Sequence, residues 1–415
     1  MPSPALSPSK AIRPYRLCVE FAQNERWLGG AIYIENLLSS LGKLCEVERP
    51  SVTLVLRTGA DISFAKKLVS MPIVSGAQRI SMIYRAVRKL NDLSWGRLTW
   101  LLRLIRPLQT DGGRLELWFP AIARSIIPRR ELYWIADLQH RHMPHLFTKE
   151  ELEQRDRWFA GIAEAPGHVV LSSESARADF LRQYPNARVT SHVWHFCSTL
   201  RPDGSERHAE VRSRYGLTEK FIYIPNQFWK HKDHLTALEA LLQLKTRGVR
   251  IPLVCTGFQG DYRQPDHFAK VEGFIQDTGL ADQTKLLGVI PRRDQIEVFR
   301  MAAAVVQPSL FEGWSTVIED AKAIGRPILA SDIDVHREQL SQVANSALFR
   351  AGDASDLAER LAELWPAWEA GPDLGREADA QALTEQRIIE AAREFVSIAD
   401  EAAGLATAST LLEET

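Results

Sequence analysis

Short apolar runs alternate with longer segments of helical periodicity along most of the chain. In the first half the runs are YRLCVEFA (15–22), SVTLVLRT (51–58), LYWIAD (132–137) and HVVLSS (168–173). Continuous apolar runs that are each followed by a helical pattern are typical of parallel strands buried between layers of helices. The pattern therefore predicts a doubly wound α/β domain.

A second series of the same kind follows a break that is rich in Pro, Gly and polar residues, RPDGSERH (201–208). Its runs are FIYIPN (221–226), IPLVCTG (251–257), TKLLGVI (284–290), AAVVQPS (303–309) and RPILAS (326–331). A chain of 415 residues is also too long for one ordinary core. We expect two Rossmann-like domains, 15–203 and 204–383, preceded by a disordered tail at 1–14.

Composition is that of a globular protein, and it excludes several classes. The 51 basic and 52 acidic residues leave a formal net charge of −1, so bulk charge predicts no nucleic-acid partner. Cys18, Cys45, Cys197 and Cys255 show no C-x-x-C spacing, which argues against a zinc site and a disulfide framework. No signal-peptide pattern and no apolar run of about 18 residues is found. We expect a cytoplasmic protein.

The segment 79–106 departs from this neutral composition. It carries seven basic residues and one acid, Asp92, beside apolar bulk such as Trp95 and Trp100. This is the composition of a helix that lies on an anionic membrane surface, and peripheral membrane contact is one prediction. A core-facing helix with a solvated basic face is the alternative.

Two glycines, Gly29 and Gly30, follow the first predicted strand and precede a helical pattern. Backbone N–H groups at such a turn can approach an anion, and the positive end of the helix dipole adds to the attraction. The alternative is a glycine pair that only makes a tight turn. A nicotinamide-binding domain is disfavoured because the chain lacks the G-x-G-x-x-G fingerprint here.

Three acids lie close together in EGWSTVIEDAKAIGR (312–326). Glu312 follows an apolar strand, at the edge where open α/β sheets bind ligands. We expect Thr316 to cap the next helix and Glu319, three residues later, to complete a capping box. The first-turn N–H groups near Val317 can then meet a diphosphate. Asp320 is a candidate acceptor for sugar hydroxyls, or an acid that only compensates the helix dipole.

The segment 286–339 resembles the C-terminal domain of glycosyltransferase family 4, retaining enzymes of the GT-B fold that use nucleotide sugars. The resemblance rests on the P-S-x-x-E-G turn, on an acid eight positions after Glu312, and on the order of Ala321, Gly325, Pro327 and the Ser-Asp-x-x-x-x-Arg-Glu run at 331–338. Without gaps, the family's second Glu falls on Asp320, one methylene shorter, so either Asp320 or Glu319 takes its role. We favour Asp320.

The resemblance extends upstream, where Lys232 matches the lysine that contacts the donor diphosphate. Asn226 stands where most members carry an arginine, so Lys230 or His231 is a candidate for the missing charge. The resemblance places Val289 where the base is held by backbone contacts, and Gly29 and Gly30 under the donor phosphates. It also implies that a helix at 384–415 crosses back to the first domain.

An acceptor-side histidine is also implied, in YWIADLQHRHMPHLF (133–147). We place it at His140, because a D-x-Q-H pattern follows a strand, with His142 and His145 as rivals. The predicted catalytic residues are thus Glu312 and His140. The predicted donor-binding residues are Gly29, Gly30, Asn226, Lys232, Val289, Gly313, Ser315, Thr316, Val317, Glu319 and Asp320.

The function that the resemblance implies is retaining transfer of a sugar from a nucleotide-diphosphate sugar to a saccharide or lipid-linked saccharide, in bacterial surface polysaccharide synthesis. We expect no cofactor and no metal, since no D-x-D pattern follows a strand in the manner of metal-holding transferases. The alternatives are a catalytically silent GT-B protein that binds a nucleotide sugar or a partner, a different reaction on the same fold, and an NAD-dependent enzyme.

Overall fold

The structure is a computed structural model that describes residues 13–22, 28–57, 60, 62–79, 115–122, 129–202 and 207–405 of the 415. The basic aromatic segment predicted at 79–106 lies, from residue 80 onward, outside the described residues. Among the described helices, none is long and apolar enough to cross a membrane.

The first half of the described chain forms a seven-stranded parallel sheet in the order β3-β2-β1-β4-β5-β6-β7. Its strands are β1 (Tyr15–Phe21), β2 (Ser51–Leu56), β3 (Val74–Arg79), β4 (Leu115–Ala121), β5 (Arg130–Ile135), β6 (His168–Leu171) and β7 (Thr190–Val193). The described helices that accompany it are α1 (Leu28–Leu41), α2 (Ile62–Val69), α3 (Gln139–His142), α4 (Lys149–Ala163) and α5 (Glu174–Gln183), with a 3₁₀ turn at Pro144–Leu146. The central strands are buried on both faces, as parallel sheets require.

The second half forms a six-stranded parallel sheet in the order β10-β9-β8-β11-β12-β13. Its strands are β8 (Ile222–Ile224), β9 (Leu253–Cys255), β10 (Thr284–Leu286), β11 (Ala304–Gln307), β12 (Ile328–Ser331) and β13 (Ser346–Phe349). Its helices are α6 (His208–Tyr215), α7 (His234–Thr246), α8 (His267–Asp277), α9 (Arg292–Met301), α10 (Thr316–Ile324), α11 (Asp334–Leu340) and α12 (Ala354–Leu364), and 3₁₀ turns lie at Lys230–Lys232 and Leu280–Asp282.

One long helix, α13 (Leu374–Ala402), connects the two sheets. Near its start, Glu377 accepts a hydrogen bond from the buried Arg300 of the second domain at 3.0 Å. Near its end, the fully buried Phe395 packs edge-on against Phe119 and Trp194 in the core of the first domain. The helix therefore begins ten residues before the predicted 384 and is anchored in both domains.

Each of the nine apolar runs corresponds to an observed strand. Four of the described strands were not marked by such a run. They are β3, β4, β7 and β13. The edge strand β3, with sequence VSGAQR, alternates half-buried and exposed residues. Because a strand with one exposed face needs no continuous apolar run, periodicity gave no signal for it.

Candidate active site

A cleft separates the carboxyl ends of the two sheets and holds a cavity of about 230 Å³. The first domain lines it with Gly29, Ile32, Tyr33, Trp134, Ala136, Asp137, Gln139, Ser172 and Phe196. The second domain lines it with Pro225, Asn226, Gln227, Trp229, His231, Lys232, Arg292, Gln295, Phe299, Phe311, Glu312, Gly313, Trp314, Thr316, Val317 and Asp320. Crevices at this edge of open α/β sheets are the usual place for ligands.

An ion pair between Lys232 and Glu312 lies in the wall of the second domain. Nζ of Lys232 is 2.5 Å from Oε1 of Glu312, and both side chains are mostly buried. Lys232 ends the 3₁₀ turn after β8, while Glu312 follows β11. A backbone hydrogen bond from Leu310 to the His231 carbonyl, 2.8 Å long, ties these two loops together. The structure thus brings together two residues that the sequence singled out independently.

Gln307, at the end of β11, links this pair to Asn226. Its Nε2 donates to Glu312 Oε1 at 2.8 Å, and its Oε1 accepts from Asn226 Nδ2 at 2.6 Å. Both amides are buried, so their hydrogen bonds fix the carboxylate of Glu312 in a water-poor environment. Asn226 therefore presents an uncharged amide at a position of the cleft where an arginine would carry a positive charge.

The helix start after Glu312 differs by one residue from the prediction. Ser315, with extended backbone dihedral angles, is the N-cap of α10, and its Oγ accepts from the Ile318 amide at 3.4 Å. Thr316 is already helical, so the predicted capping box of Thr316 and Glu319 is wrong. Ser315 is buried and does not line the cavity, whereas Thr316 and Val317 do. The first N–H groups of a helix have no partner inside it, and here they lie beside the cleft.

The neighbouring acids Glu319 and Asp320 face different sides of α10. Glu319 accepts from Lys322 at 2.7 Å and from Gln339 at 3.0 Å, outside the cavity lining. Asp320 lines the cavity and accepts from Ser198 at 2.6 Å and from Arg292 at 2.7 Å. Successive helical residues point about 100° apart, so Glu319 and Asp320 face different surroundings, and here Asp320 is the one that faces the cleft.

Arg292, the first residue of α9, is a cation of the cleft that sequence reasoning missed. Of the two candidates considered for the charge absent at Asn226, Lys230 is exposed and outside the cavity lining. His231 lines the cavity, but burial, with a contribution from the Lys232 and Arg263 charges, lowers its pKa well below the ordinary value. His231 is therefore neutral near pH 7, and Arg292 supplies the second positive charge of this wall.

At Gly313, the loop after β11 lies very close to the first-domain loop that follows β5. A Cβ there would lie 2.3 Å from the carbonyl oxygen of Ala136 and 3.0 Å from Cβ of Asp137. Any side chain would force the first-domain loop away, so the glycine after Glu312 is needed for domain contact.

The glycine pair of the first domain lies inside α1 instead of before it. The helix begins at Leu28, so Gly29 and Gly30 occupy its first turn. Gly29 is exposed and lines the cavity, whereas Gly30 is buried and does not. The predicted separate turn is wrong, and Gly29 alone remains at the cleft.

His140 does not line the cavity. Its ring is 1% exposed, lies edge-on to Phe147 and Phe159, and shares a 3.1 Å hydrogen bond with Asp156. Burial, together with the nearby Arg155, lowers its pKa. The preceding Asp137 and Gln139 line the cleft instead. The backbone N–H of Gln139 donates to Oδ1 of Asp137 at 2.9 Å.

The remaining predicted residues also lie away from the cavity. His142 pairs with Asp179 and packs on Phe311, while His145 is exposed. Val289 is 73% exposed and lies outside the cavity lining. The D-x-Q-H pattern after a strand marked a loop that lines the cavity, but its spacing did not reveal which side chain faces the cleft.

Comparisons with known proteins show what the chain as a whole is similar to. Residues 208–380 match the family model described as glycosyl transferases group 1. The chain is 24% identical to the alpha-D-kanosaminyltransferase of Streptomyces kanamyceticus over 333 residues, covering 75% of this chain and 83% of that relative. It is 23% identical to the O-antigen chain mannosyltransferase B of Escherichia coli over 325 residues, covering 70% and 79%.

Among solved structures, the chain is similar to Anabaena HepE in complex with UDP and glucose, with a TM-score of 0.68 and 17% identity over 93% of this chain and 99% of that one. The GT-B fold expected from the sequence is confirmed. Together the matches support a GT-B glycosyltransferase, and membership of family 4 stays a prediction.

Proposed function

We propose that this protein is a retaining glycosyltransferase that moves a sugar from a nucleotide-diphosphate sugar to a saccharide or lipid-linked saccharide acceptor. The observation that carries the proposal is the Lys232–Glu312 ion pair beside the start of α10, inside the cleft between two Rossmann-like sheets. This arrangement places a cation, helix-start amides and a carboxylate around one small volume.

The leaving diphosphate is the group that these positive elements suit. In retaining transfer, negative charge grows on the diphosphate as its bond to the sugar breaks, and preorganised donors in a dry site stabilise such charge strongly. Lys232, Arg292 and the amides of Thr316 and Val317 are the donors in this role. Lys232 is paired with Glu312 and Arg292 with Asp320, so a donor diphosphate that binds these cations takes the place of the acids.

Glu312 and Asp320, once separated from their cations, contact the sugar end and the ribose end of the donor. Glu312, held by Gln307, orients the hydroxyls of the transferred sugar. Asp320, on the helix side of the cavity, accepts hydrogen bonds from the ribose, and we assign it that role in preference to Glu319. On the acceptor side we assign Asp137 and Gln139 in place of His140. The acceptor attacks the sugar on the face from which the diphosphate departs, and an oxygen of the departing phosphate takes the acceptor's proton. This mechanism needs no metal.

Surface polysaccharide synthesis is the role that we propose for the transfer. What supports it is the relative from Escherichia coli, which is named as a mannosyltransferase of the O-antigen chain, while the relative from Streptomyces is named for kanosaminyl transfer without an acceptor.

A panel of nucleotide sugars tests the proposal. A true donor at about one hundred times its Kd stabilises the fold by about 2.7 kcal/mol, which raises the melting temperature by several degrees. The Lys232→Met variant is expected to lose most of that shift. No stabilisation by any nucleotide sugar would overturn the proposal.

Product analysis then separates transfer from silent binding. With the stabilising donor and a saccharide acceptor, NMR of the product should show the anomeric configuration of the donor, and treatment with EDTA should leave the initial rate unchanged. Stabilisation without any nucleotide release would favour a silent GT-B protein. An inverted anomeric configuration would contradict the retaining mechanism.

A further inference from the structure

Two histidines lie together near the end of the first sheet that faces away from the cleft. His168 is the first residue of β6 and His192 lies in the neighbouring β7. In the parallel register His192 is opposite Val170, and His168 is opposite Thr190, so the histidines are two positions apart on one face of the sheet. Their rings are stacked with centroids 5.1 Å apart.

A carboxylate from the crossing helix completes the group. Glu401, in the last turn of α13, places Oε2 3.9 Å from Nε2 of His192. The Nδ1 atom of His168 is 2.8 Å from that same Nε2. One ligand atom from each of the three residues lies within 4.8 Å of the others. These residues come from three elements that are far apart in sequence.

We propose that His168, His192 and Glu401 bind one divalent transition-metal ion of the zinc class. Two imidazole nitrogens and one carboxylate oxygen are a donor set that Zn²⁺ takes, with bonds of about 2.0–2.2 Å and a fourth position open to water. The Glu401 side chain is 38% exposed, so it is free to swing the short distance toward the nitrogens. Hard ions such as Mg²⁺ prefer all-oxygen sites and do not fit.

The protonation states needed for binding are available without loss of a proton from the rings. One facing nitrogen donates a hydrogen bond to the other, so at least one of the two already presents a lone pair to its neighbour. In the metal-bound protein both facing nitrogens present lone pairs, and the donor ring carries its proton on the other nitrogen. Glu401 favours a cation here, and Arg177, which also acts on His192, opposes it.

The ion would fasten the end of the crossing helix to the first domain. Glu401 lies one residue from Asp400, which already accepts hydrogen bonds from Arg13 and Tyr15 on the first strand's side. The site is thus a staple at the last turn of α13, whereas the cleft lies at the carboxyl ends of the strands. We expect it to act on stability and to leave the chemistry of transfer untouched.

Metal titration of the full chain, freed of any histidine tag and treated with EDTA, tests the inference. Calorimetry with Zn²⁺ should show one saturable ion per chain, and Co²⁺ should give the visible absorption of a low-coordinate nitrogen and oxygen site. Glu401→Gln should weaken binding at least about tenfold, and the double variant His168→Gln with His192→Gln should abolish it. His208→Gln, a histidine outside the group, is the matched control and should bind as the wild type does.

Melting temperature gives the second readout. Zn²⁺ should raise it in the wild type and in His208→Gln, and the rise should be smaller in Glu401→Gln. Absence of saturable binding in the wild type, or unchanged binding in the double variant, would overturn the inference. If the double variant does not fold, Glu401→Gln decides, because the half-exposed helix-end residue keeps its size. None of these results depends on sugar transfer, so this site and the proposed function can fail separately.

Discussion

The two walls of the cleft differ in chemistry. The lining of the second domain carries two cations and two carboxylates, Lys232, Arg292, Glu312 and Asp320, and pairs them with each other. Among the described residues, the lining of the first domain holds one charged side chain, Asp137, beside apolar, hydroxyl and amide groups. The charges that suit a diphosphate sugar are therefore assembled within one domain, and the other domain supplies mainly apolar surface that excludes water.

Because of this difference, donor binding and the contact between the domains depend largely on different residues. The hydrogen bonds around Gln307 hold Glu312 with no contribution from the first domain. Contact with the first domain includes Gly313, where the two loops meet, and the hydrogen bond from Ser198 to Asp320. Variants of the charged wall should thus change chemistry or donor affinity, and variants at the contact should change how the domains fit.

The largest effect is expected for Glu312→Gln. The amide keeps the size of the side chain but removes the charge that partners Lys232 and that we propose orients the sugar, so kcat should fall about 10²- to 10³-fold. The rate of nucleotide release in the presence of acceptor measures this. The melting temperature of the ligand-free variant serves as the folding control, and near-normal turnover would refute the role of Glu312.

The neighbouring acids Glu319 and Asp320 of α10 can be compared directly, because only Asp320 lines the cavity. Asp320→Asn should raise KM for the donor about 10- to 100-fold, because a hydrogen bond to a charged group contributes about 1.5–3 kcal/mol. Glu319→Gln, one position away, should lower the melting temperature through Lys322 and leave KM nearly unchanged. Steady-state kinetics with varied donor compares the two. The reverse pattern would assign the ribose contact to Glu319.

The sequence predicted those parts of the site that depend on neighbours in the chain. Glu312, Gly313, Thr316, Val317 and Asp320 follow one strand and open one helix, so their order alone places them at a ligand-binding edge.

The residues that were missed depend on contacts between distant segments. Arg292 reaches Asp320 from another helix, and Gln307 joins Glu312 to Asn226, which lies 81 residues before Gln307 in the chain. The side of a short helix that His140 faces is decided by packing on Phe159, which no local pattern contains. The fold was predictable where strands are buried on both faces, and β3 was not because it is half exposed.

Gly313→Ala tests the contact between the walls. Since its Cβ would lie 2.3 Å from the Ala136 carbonyl oxygen, the loops must separate, and we expect a loss of about 1–3 kcal/mol in the free energy of unfolding together with slower transfer. Gly161→Ala is the matched control, because a Cβ at this helical glycine meets nothing within 4 Å. It should be neutral or stabilising. Equal losses in both variants would argue against a special contact at Gly313.

The smallest effect is expected at a second contact between the domains, on the side of α11. Glu338 accepts from His195 at 2.6 Å and from the amides of Glu174 and Ser175 at the start of α5. Burial acts to raise the pKa of Glu338, but these hydrogen bonds outweigh it and hold the pKa below the ordinary 4.5. A carboxyl group with a depressed folded-state pKa stabilises the protein above 4.5, and this contribution is lost as pH falls through the folded value.

Glu338→Gln should therefore destabilise the protein by about 1 kcal/mol at pH 7, a small effect because the contact keeps neutral hydrogen bonds. The difference from the wild type should shrink as the pH falls below 4.5, where the wild-type carboxyl also becomes neutral. Denaturant unfolding at a series of pH values measures both. A constant difference across the series would mean that the hydrogen bonds of an oxygen acceptor at this position matter, and that the charge of Glu338 does not.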